Sequence, residues 1–403
     1  MILSSFNVSE FVAQYWQQKP CIIRGFAANF VEPIDEHDLA GLAQEADIDS
    51  RIVAFDNNKW QVAQGPFDDF APHCQGNWSL LVQGVDKYVD EIAELTNLVS
   101  FIPHWRLDDI MVSYSTEHAG VGPHTDEYDV FIVQGKGTRR WQVGLPNKDG
   151  GAPYKVVLPH PLLKQIEGFE PIIDEVLQPG DAVYIPPKHP HNGVALGPCM
   201  NYSIGFRAPT NAEVLNGLLD EAEGLETAQI RYSDPDILAL RSLTSPAEEL
   251  SCAELERLKS QLVSLLNTPQ ANEAILKFLS AQQLPVLHDE SYQVDAAELG
   301  DMLSEQGIIT MPSAVRPIYL AEQTSSRIDS AAVFTFYIDS HVFEVDIALK
   351  AHLQSLFANK SIDAHHAFMQ LNNCASSQDA AWLTIIAQLV NAGYVEWQEE
   401  IFD

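Results

Sequence analysis

The chain has 403 residues, a length that suggests two or three domains with a sizeable buried core. Its 23 Lys and Arg residues against 56 Asp and Glu residues give a net charge of −33, which argues against nucleic acid as the main ligand. The same charge is compatible with a strongly basic protein partner and also with acidity that serves only solubility, so charge by itself leaves both interpretations open.

Cysteine usage and the amino terminus bound the cellular context. The five cysteines are scattered without a Cys-x-x-Cys pair, which excludes a disulfide framework and a zinc ribbon. The amino terminus has no basic segment followed by an apolar one, and no apolar run approaches the length of a membrane span. We therefore expect a cytoplasmic protein with reduced thiols and no membrane partner.

The first hundred residues predict two helices and two short strands. The helices are Ser9 to Gln18, with Ser9 as the N-cap, and Asp86 to Leu95, with Asp86 as the cap. The strands are Cys21 to Arg24 and Leu80 to Gln83.

The middle of the chain is rich in short strands separated by turn sequences. Pro179-Gly180 and Asn192-Gly193 are two of these turn signals. The predicted strands are Ile110 to Ser115, Asp129 to Gln134, Thr138 to Gly144, Ala182 to Ile185 and Asn201 to Phe206. Short strands interrupted this often favour an antiparallel barrel or jelly roll.

After Pro209 the pattern becomes helical, beginning with Ala212 to Ala222. A longer helix follows and starts at a capping box, either Ser245-Pro246-Ala247-Glu248 or Ser251-Cys252-Ala253-Glu254. This helix carries one apolar stripe, formed by Leu255, Leu258, Leu262, Leu265 and Leu266. Such a stripe must be buried, either on the chain's own barrel or against a second copy.

The carboxy-terminal part predicts a hairpin and two further helices. The hairpin pairs Val333 to Ile338 with His341 to Val345. The helices are Ala348 to Phe357 and Trp382 to Ala392, and Gly393 to Trp397 resembles a final strand. We divide the chain at 1–208, 209–269 and 270–403.

A histidine and a carboxylate at strand spacing are the main chemical feature. In an extended strand, residues two apart point to the same face, so His124 and Asp126 can both reach one metal ion. With a distant histidine they form the two-histidine, one-carboxylate ligand set of non-haem Fe(II) oxygenases. His189 and His191 are both candidates for the third ligand, and spacing alone does not decide between them.

The sequence around these residues resembles the JmjC-type ribosomal oxygenases of the cupin superfold. The matching segments are Trp105 to Ser115, Gly122 to Asp126, Gly137 to Trp141, and Pro179 to the distal histidine. The resemblance implies an α+β fold: a double-stranded β-helix (jelly-roll) barrel, a helical dimerisation region and a winged-helix-like C-terminal domain. It covers the first half of the chain strongly and the second half only by layout.

The family pattern also implies residue roles. It places the Fe(II) ligands at His124, Asp126 and His191, and the residue that pairs with the far carboxylate of 2-oxoglutarate at Arg139. Arg140 is its neighbour on the strand and is expected to be exposed, because adjacent strand residues face opposite sides. Ser113 and Ser115 share a face and, if that face is interior, can hydrogen-bond the same cosubstrate.

The activity implied by the resemblance is hydroxylation of an arginine β-carbon on the sixteenth large-subunit ribosomal protein, a basic substrate, by a homodimer. Glu117, Glu127 and Asp129 are near the ligands in sequence and are hypothesised to bind the substrate arginine. Asn201 and Ser203 are suggested to orient the metal-bound groups without binding the metal themselves.

Three other functions remain as alternatives. A related JmjC enzyme could hydroxylate histidine or demethylate lysine, and a non-catalytic cupin could bind a metal as a regulatory module. The cosubstrate clamp at Arg139 tells against the inert module. A DNA-binding regulator is the weakest alternative, because residues 281–403 contain 4 Lys and Arg against 17 Asp and Glu.

Overall fold

The computed structural model describes residues 2–147, 154–160, 163–221, 224, 226–242, 244–285, 293–304, 307–321, 332–363 and 376–399. The chain forms two compact units, residues 1–208 with 312–314 and residues 209–311 with 315–403. The division of the second half into a helical region and a C-terminal domain stays a prediction.

The first unit contains fourteen strands in its described residues. They are β1 Ile2–Leu3, β2 Cys21–Ile23, β3 Ser50–Asp56, β4 Lys59–Gln64, β5 Asn77–Val82, β6 Leu107–Ser115, β7 Asp129–Gln134, β8 Arg139–Gly144, β9 Val156–His160, β10 Leu163–Ile166, β11 Pro171–Leu177, β12 Ala182–Ile185, β13 His191–Ala195 and β14 Cys199–Phe206. The predicted strands of the middle region are all present.

These strands form a jelly-roll barrel built from one large and one small sheet. The large sheet has the order β1-β2-β12-β7-β14-β6-β5-β3-β4, and the small sheet has the order β11-β8-β13. Strands β9 and β10 form a separate pair. The predicted α+β fold with a JmjC-type double-stranded β-helix is confirmed.

Alternation along the strands divides the barrel into an outer and an inner side. On the outer side, aromatic and aliphatic residues such as Phe11, Phe131 and Tyr184 pack into the larger core. On the inner side a smaller apolar cluster includes Val130, Trp141 and other branched residues. Polar residues occupy the rest of this inner side, and the candidate site lies among them.

Helix α1 spans Val8–Gln14 and starts earlier than predicted. The N-cap is Asn7, not Ser9, because the Asn7 side chain accepts a hydrogen bond of 3.0 Å from the Glu10 amide. The helix buries Phe11 against the large sheet.

Helix α2 spans Glu36–Leu42. The helix predicted from Asp86 to Leu95 is replaced by shorter segments: α3 is a single turn, Asp90–Ala93, and the 3₁₀ segments Val85–Lys87 and Glu94–Val99 flank it. Asp86 does not cap a helix: its side chain is buried and accepts a 2.7 Å hydrogen bond from the Ile110 amide on β6. A tertiary contact therefore uses the carboxylate that the sequence assigned to a local role.

The second unit contains seven helices and five strands in its described residues. The helices are α4 Asn211–Asp220, α5 Ile237–Leu240, α6 Cys252–Leu266, α7 Pro269–Ser280, α8 Ala296–Ser304, α9 Lys350–Asn359 and α10 Ser376–Asn391. The strands are β15 Gly307–Thr310, β16 Val333–Ile338, β17 His341–Asp346, β18 Ser361–Asp363 and β19 Glu396–Glu399. They form a sheet of order β18-β15-β19 and the predicted hairpin β16-β17.

Of the two capping boxes proposed for α6, the second is the one that forms. The Ser251 side chain accepts a bond from the Glu254 amide, and the Glu254 side chain accepts one from the Ser251 amide. Across the described residues, no helix combines the length and the apolar character that crossing a membrane requires.

Candidate metal and cosubstrate site

Three potential metal ligands converge inside the barrel. His191 begins β13, while His124 and Asp126 lie in the segment between β6 and β7. His124 and His191 face each other as an antiparallel bridge and exchange both backbone hydrogen bonds, at 3.0 and 2.9 Å. This pairing fixes the two imidazoles side by side on one face.

The ligand atoms of His124, Asp126 and His191 all lie within 4.8 Å of one another. The Asp126 Oδ2 atom is 3.8 Å from Nε2 of His124 and 3.5 Å from Nε2 of His191. Two imidazole nitrogens and a carboxylate oxygen at this spacing fit one divalent metal ion bound from one side.

The backbone orients both imidazoles. Nδ1 of His124 lies 2.9 Å from the Gly122 carbonyl oxygen, and Nδ1 of His191 lies 2.9 Å from that of His189. Because a carbonyl only accepts, each Nδ1 carries the proton and each Nε2 keeps a free lone pair that faces the site. The Asp126 segment is held by a 2.7 Å hydrogen bond from the Lys188 amide to the Asp126 carbonyl.

The electrostatics of the site favour the protonation states that a metal needs. Burial, reinforced by His191, lowers the pKa of His124 to about 4. Burial alone would raise the pKa of Asp126, but its electrostatic interactions with His124 and His191 hold it at about 2. At neutral pH, His124 is therefore neutral and Asp126 is ionised.

We expect His124 to make the metal-free protein sensitive to mild acid. Its imidazole takes up a proton near pH 6.5 in the unfolded chain and near pH 4 in the folded one. Between these values the unfolded state binds more protons, so the free energy of unfolding falls as pH decreases through this window. Urea unfolding between pH 7 and pH 4 should show a steeper loss for the parent than for His124→Gln, and parallel curves would contradict this.

Arg139 is buried at the end of the site opposite the histidines. Its guanidinium donates a hydrogen bond to Oγ of Ser115, which lies 2.7 Å from Oγ of Ser79. Burial lowers the pKa of Arg139, and the nearby Cys199 thiol opposes this effect. Within the described part of the chain no carboxylate forms an ion pair with Arg139, and its Nε–H has no hydrogen-bond partner.

Arg140 has the opposite environment, as predicted. It lies exposed on the outer face of β8 and forms a two-pronged ion pair with Asp174, at 2.6 and 2.5 Å. The alternation of the strand therefore leaves Arg139 as the interior cation.

The polar inner face of the large sheet completes the pocket. Ser113 and Ser115 both point inward from β6, and Asn201 lies opposite Ser113 on β14. The Asn201 side-chain amide donates a hydrogen bond of 2.8 Å to Oε1 of Gln134, whereas its Oδ1 is buried and has no hydrogen-bond partner in the part of the chain that the structure describes. An unneutralised cation together with unpaired polar atoms fits a dicarboxylate bound between Arg139 and the three ligands.

Two other residues singled out in the sequence lie outside the ligand cluster. His189 is buried and is not one of the three clustered ligands. Asp129 is wholly buried and accepts hydrogen bonds from Tyr184 at 2.6 Å and Gln17 at 2.9 Å. The hypothesis that Asp129 binds substrate is wrong, because its carboxylate is used within the fold.

The roles proposed for Glu117, Glu127 and Ser203 stay predictions. The side chains of Glu117 and Glu127 are exposed, and that of Ser203 is buried on the inner face of β14.

Sequence reasoning missed Asp109, which shares the inward face of β6 with Ser113 and Ser115. Burial, together with the neighbouring Asp86 and Asp108 charges, raises the pKa of Asp109 to about 6. It interacts electrostatically with Tyr128, which also interacts with Asp126. The alternation of β6 is the signal that could have identified this residue.

The fold and the site define a JmjC-type jelly-roll protein with a pocket suited to a divalent metal and a dicarboxylate. Residues 94–214 match the family model of the JmjC domain. The chain is 35% identical over 394 residues, 97% of both chains, to the ribosomal protein uL16 3-hydroxylase of Escherichia coli (strain K12).

Two further relatives agree with this match. The chain is 33% identical over 309 residues, 74% of each chain, to a probable ribosomal oxygenase of Haemophilus influenzae. A solved structure of the ribosomal oxygenase YcfD from Escherichia coli, in complex with cobalt and 2-oxoglutarate, superposes with a TM-score of 0.81 at 32% identity, covering 98% of this chain and 99% of that one. The chain belongs to the ribosomal oxygenase family of JmjC proteins.

Proposed function

We propose that this chain is an Fe(II)- and 2-oxoglutarate-dependent hydroxylase that acts on an arginine side chain of the ribosomal protein uL16. The observation that carries the proposal is the pairing of an open three-ligand cluster with a buried arginine that has no carboxylate partner among the described residues. A regulatory metal module has no need of such an arginine.

Each residue has a defined part in this function. His124, Asp126 and His191 hold the iron from one side, and the backbone carbonyls behind the two imidazoles fix their orientation. Arg139 and Ser115 bind the far carboxylate of 2-oxoglutarate. When bound, iron and 2-oxoglutarate together supply the activation of oxygen. The apolar inner cluster keeps bulk water away from the pocket.

Asp109 is suited to bind the substrate guanidinium. Burial and the nearby Asp86 and Asp108 charges raise its pKa, and a guanidinium beside it would stabilise the ionised form. The Gly84 amide donates 2.8 Å to Oδ2, which orients the carboxylate.

We expect Asp109→Asn to weaken binding of an arginine-containing uL16 peptide by about tenfold or more, the usual cost of losing one member of a charged hydrogen-bonded pair. Binding of 2-oxoglutarate should not change. Isothermal titration with both ligands measures the two affinities, and equal peptide affinity for the parent and the variant would rule out Asp109.

The proposed reaction is tested with purified protein, Fe(II), 2-oxoglutarate and the mixed ribosomal proteins. Formation of succinate, with one added oxygen on an arginine of uL16 in tandem mass spectra, is the expected result. An added oxygen on histidine would instead support histidine hydroxylation, and loss of methyl groups would support demethylation. Absence of succinate with every basic protein would favour the regulatory metal module.

We further propose that the chain acts as a homodimer through helix α6. The predicted stripe is largely solvent-exposed: Leu255, Leu258, Leu262 and Leu266 are 41%, 40%, 62% and 40% exposed. Contiguous leucines of this kind mark an interaction surface, and a second copy of the same helix offers a matching one.

If α6 forms the dimer interface, charged side chains in its leucine stripe should separate the two subunits. The double variant Leu258→Glu/Leu262→Glu should elute as a monomer in size exclusion with light scattering at micromolar concentration. Ser260→Glu changes the same helix on its opposite face and should remain dimeric. If the double variant stays dimeric, α6 is not the interface.

A further inference from the structure

The indole of Trp141 is a buried group of the inner barrel that the proposed roles leave unexplained. Trp141 is only 5% exposed, and its Nε1–H has no hydrogen-bond partner among the described residues. A buried donor without an acceptor costs free energy, so its retention calls for an explanation.

The register of the small sheet places this indole between the two proposed anchors of 2-oxoglutarate. On facing strands β8 and β13, Arg139 pairs with Ala195, Trp141 with Gly193, and Val143 with His191. Opposed residues share a face, so these six positions form three successive rows on the barrel interior. Arg139 lies in the first row and His191 in the third, about 13 Å apart along the backbone. Trp141 lies in the row between them.

The distances between these side chains agree with this placement. The Arg139 guanidinium carbon lies 5.7 Å from the centre of the Trp141 ring, and the His191 ring centre lies 6.2 Å from it. A ligand that joins the metal to Arg139 therefore passes along the indole.

Gly193 creates the space that the indole fills. A Cβ atom at this position would lie 2.8 Å from Cη2 of Trp141 and 2.9 Å from two further ring carbons. Such a contact is closer than side chains tolerate, so any other residue at 193 would displace the ring.

We propose that Trp141 is a positioning residue for the cosubstrate: its indole forms the wall of the 2-oxoglutarate pocket, and its Nε1–H donates a hydrogen bond to the bound dicarboxylate. Gly193 keeps the ring in that position. This inference rests on the proposed function, because it assumes a dicarboxylate between Arg139 and the metal ligands.

The test is a binding measurement, which does not depend on turnover. The full-length chain, loaded with Mn(II) in place of iron under anaerobic conditions, is titrated calorimetrically with 2-oxoglutarate. Trp141→Phe removes the N–H and keeps an aromatic ring, so we expect the dissociation constant to rise about tenfold, as for a lost hydrogen bond to a charged acceptor. Trp78→Phe changes a tryptophan of the outer core and should bind 2-oxoglutarate like the parent.

Gly193→Ala distinguishes an effect of the Trp141 ring position from an effect on the stability of the fold. In the parent it should weaken 2-oxoglutarate binding strongly, whereas in the Trp141→Phe background the smaller ring should make the added methyl group less harmful. Mn(II) affinity and the thermal midpoint should stay close to those of the parent in the single Trp141 variant, which excludes a purely structural effect.

The possible outcomes are distinct. Unchanged 2-oxoglutarate affinity in Trp141→Phe would overturn the inference while leaving the proposed function intact. Failure of the Mn(II)-loaded parent itself to bind 2-oxoglutarate would overturn the proposed function, and the inference with it. Weaker binding of 2-oxoglutarate with equal weakening of Mn(II) would show that Trp141 acts only on the fold.

Discussion

We expect His191→Ala to lose divalent metal binding and, with it, all hydroxylation. The variant removes one of three ligand atoms that lie within 4.8 Å of one another, and the remaining pair cannot hold an ion from one side. Replacing a residue that only hydrogen-bonds a metal ligand typically lowers metal affinity about 10- to 100-fold. Removing a ligand itself should therefore lower metal affinity by more than about 100-fold. Calorimetric titration with Mn(II) measures the loss directly.

His189→Ala is the matched control, two positions away on the same segment. What His189 offers to the site is its backbone carbonyl, 2.9 Å from Nδ1 of His191, and alanine preserves that carbonyl. This variant should bind Mn(II) within a few-fold of the parent. If His189→Ala lost the metal and His191→Ala kept it, the third ligand would be His189 and not His191.

The second large effect is expected at Arg139. Arg139→Met should weaken 2-oxoglutarate binding by on the order of 100-fold or more, because truncating one partner of a buried, hydrogen-bonded charge pair costs about 2–5 kcal/mol. Mn(II) affinity should remain near that of the parent, since Arg139 contacts Ser115 and not the three ligands. Titration of the Mn(II)-loaded variants with 2-oxoglutarate makes the comparison.

Arg140→Met is the control for Arg139→Met. It removes an exposed ion pair with Asp174, and exposed pairs contribute only about 0–1 kcal/mol. Its 2-oxoglutarate affinity should match the parent. Equal losses at the two arginines would mean that the charge of β8 acts at a distance and that Arg139 does not contact the ligand.

Arg139→Met should also leave the ligand-free protein at least as stable as the parent. Burial lowers the pKa of Arg139, which shows that its charge is poorly solvated in the folded chain. An apolar side chain of similar length removes this cost. A residue that weakens ligand binding when replaced, without weakening the fold, is a residue retained for function.

The local pattern of the sequence determined much of this protein. The spacing of His124 and Asp126 predicted two ligands on one face, and the turn signals predicted the strands of a jelly roll. Alternation along β8 separated the interior Arg139 from the exposed Arg140 once the resemblance had indicated which residue faces the pocket. These features follow from neighbours in the chain, because strand geometry fixes the direction of each side chain relative to the next.

Only the tertiary structure decided which of the remaining polar residues face the site. Asp129 follows the ligands closely in sequence, yet Tyr184 and Gln17, the latter 112 positions away, bind its carboxylate inside the core. Asp109 was missed because the predicted strand began at Ile110, whereas pairing with β14 extends β6 back to Leu107. The position of the Trp141 ring likewise depends on Gly193 of the facing strand. Burial and hydrogen-bond partners come from distant segments that pack together, and a local pattern carries no information about them.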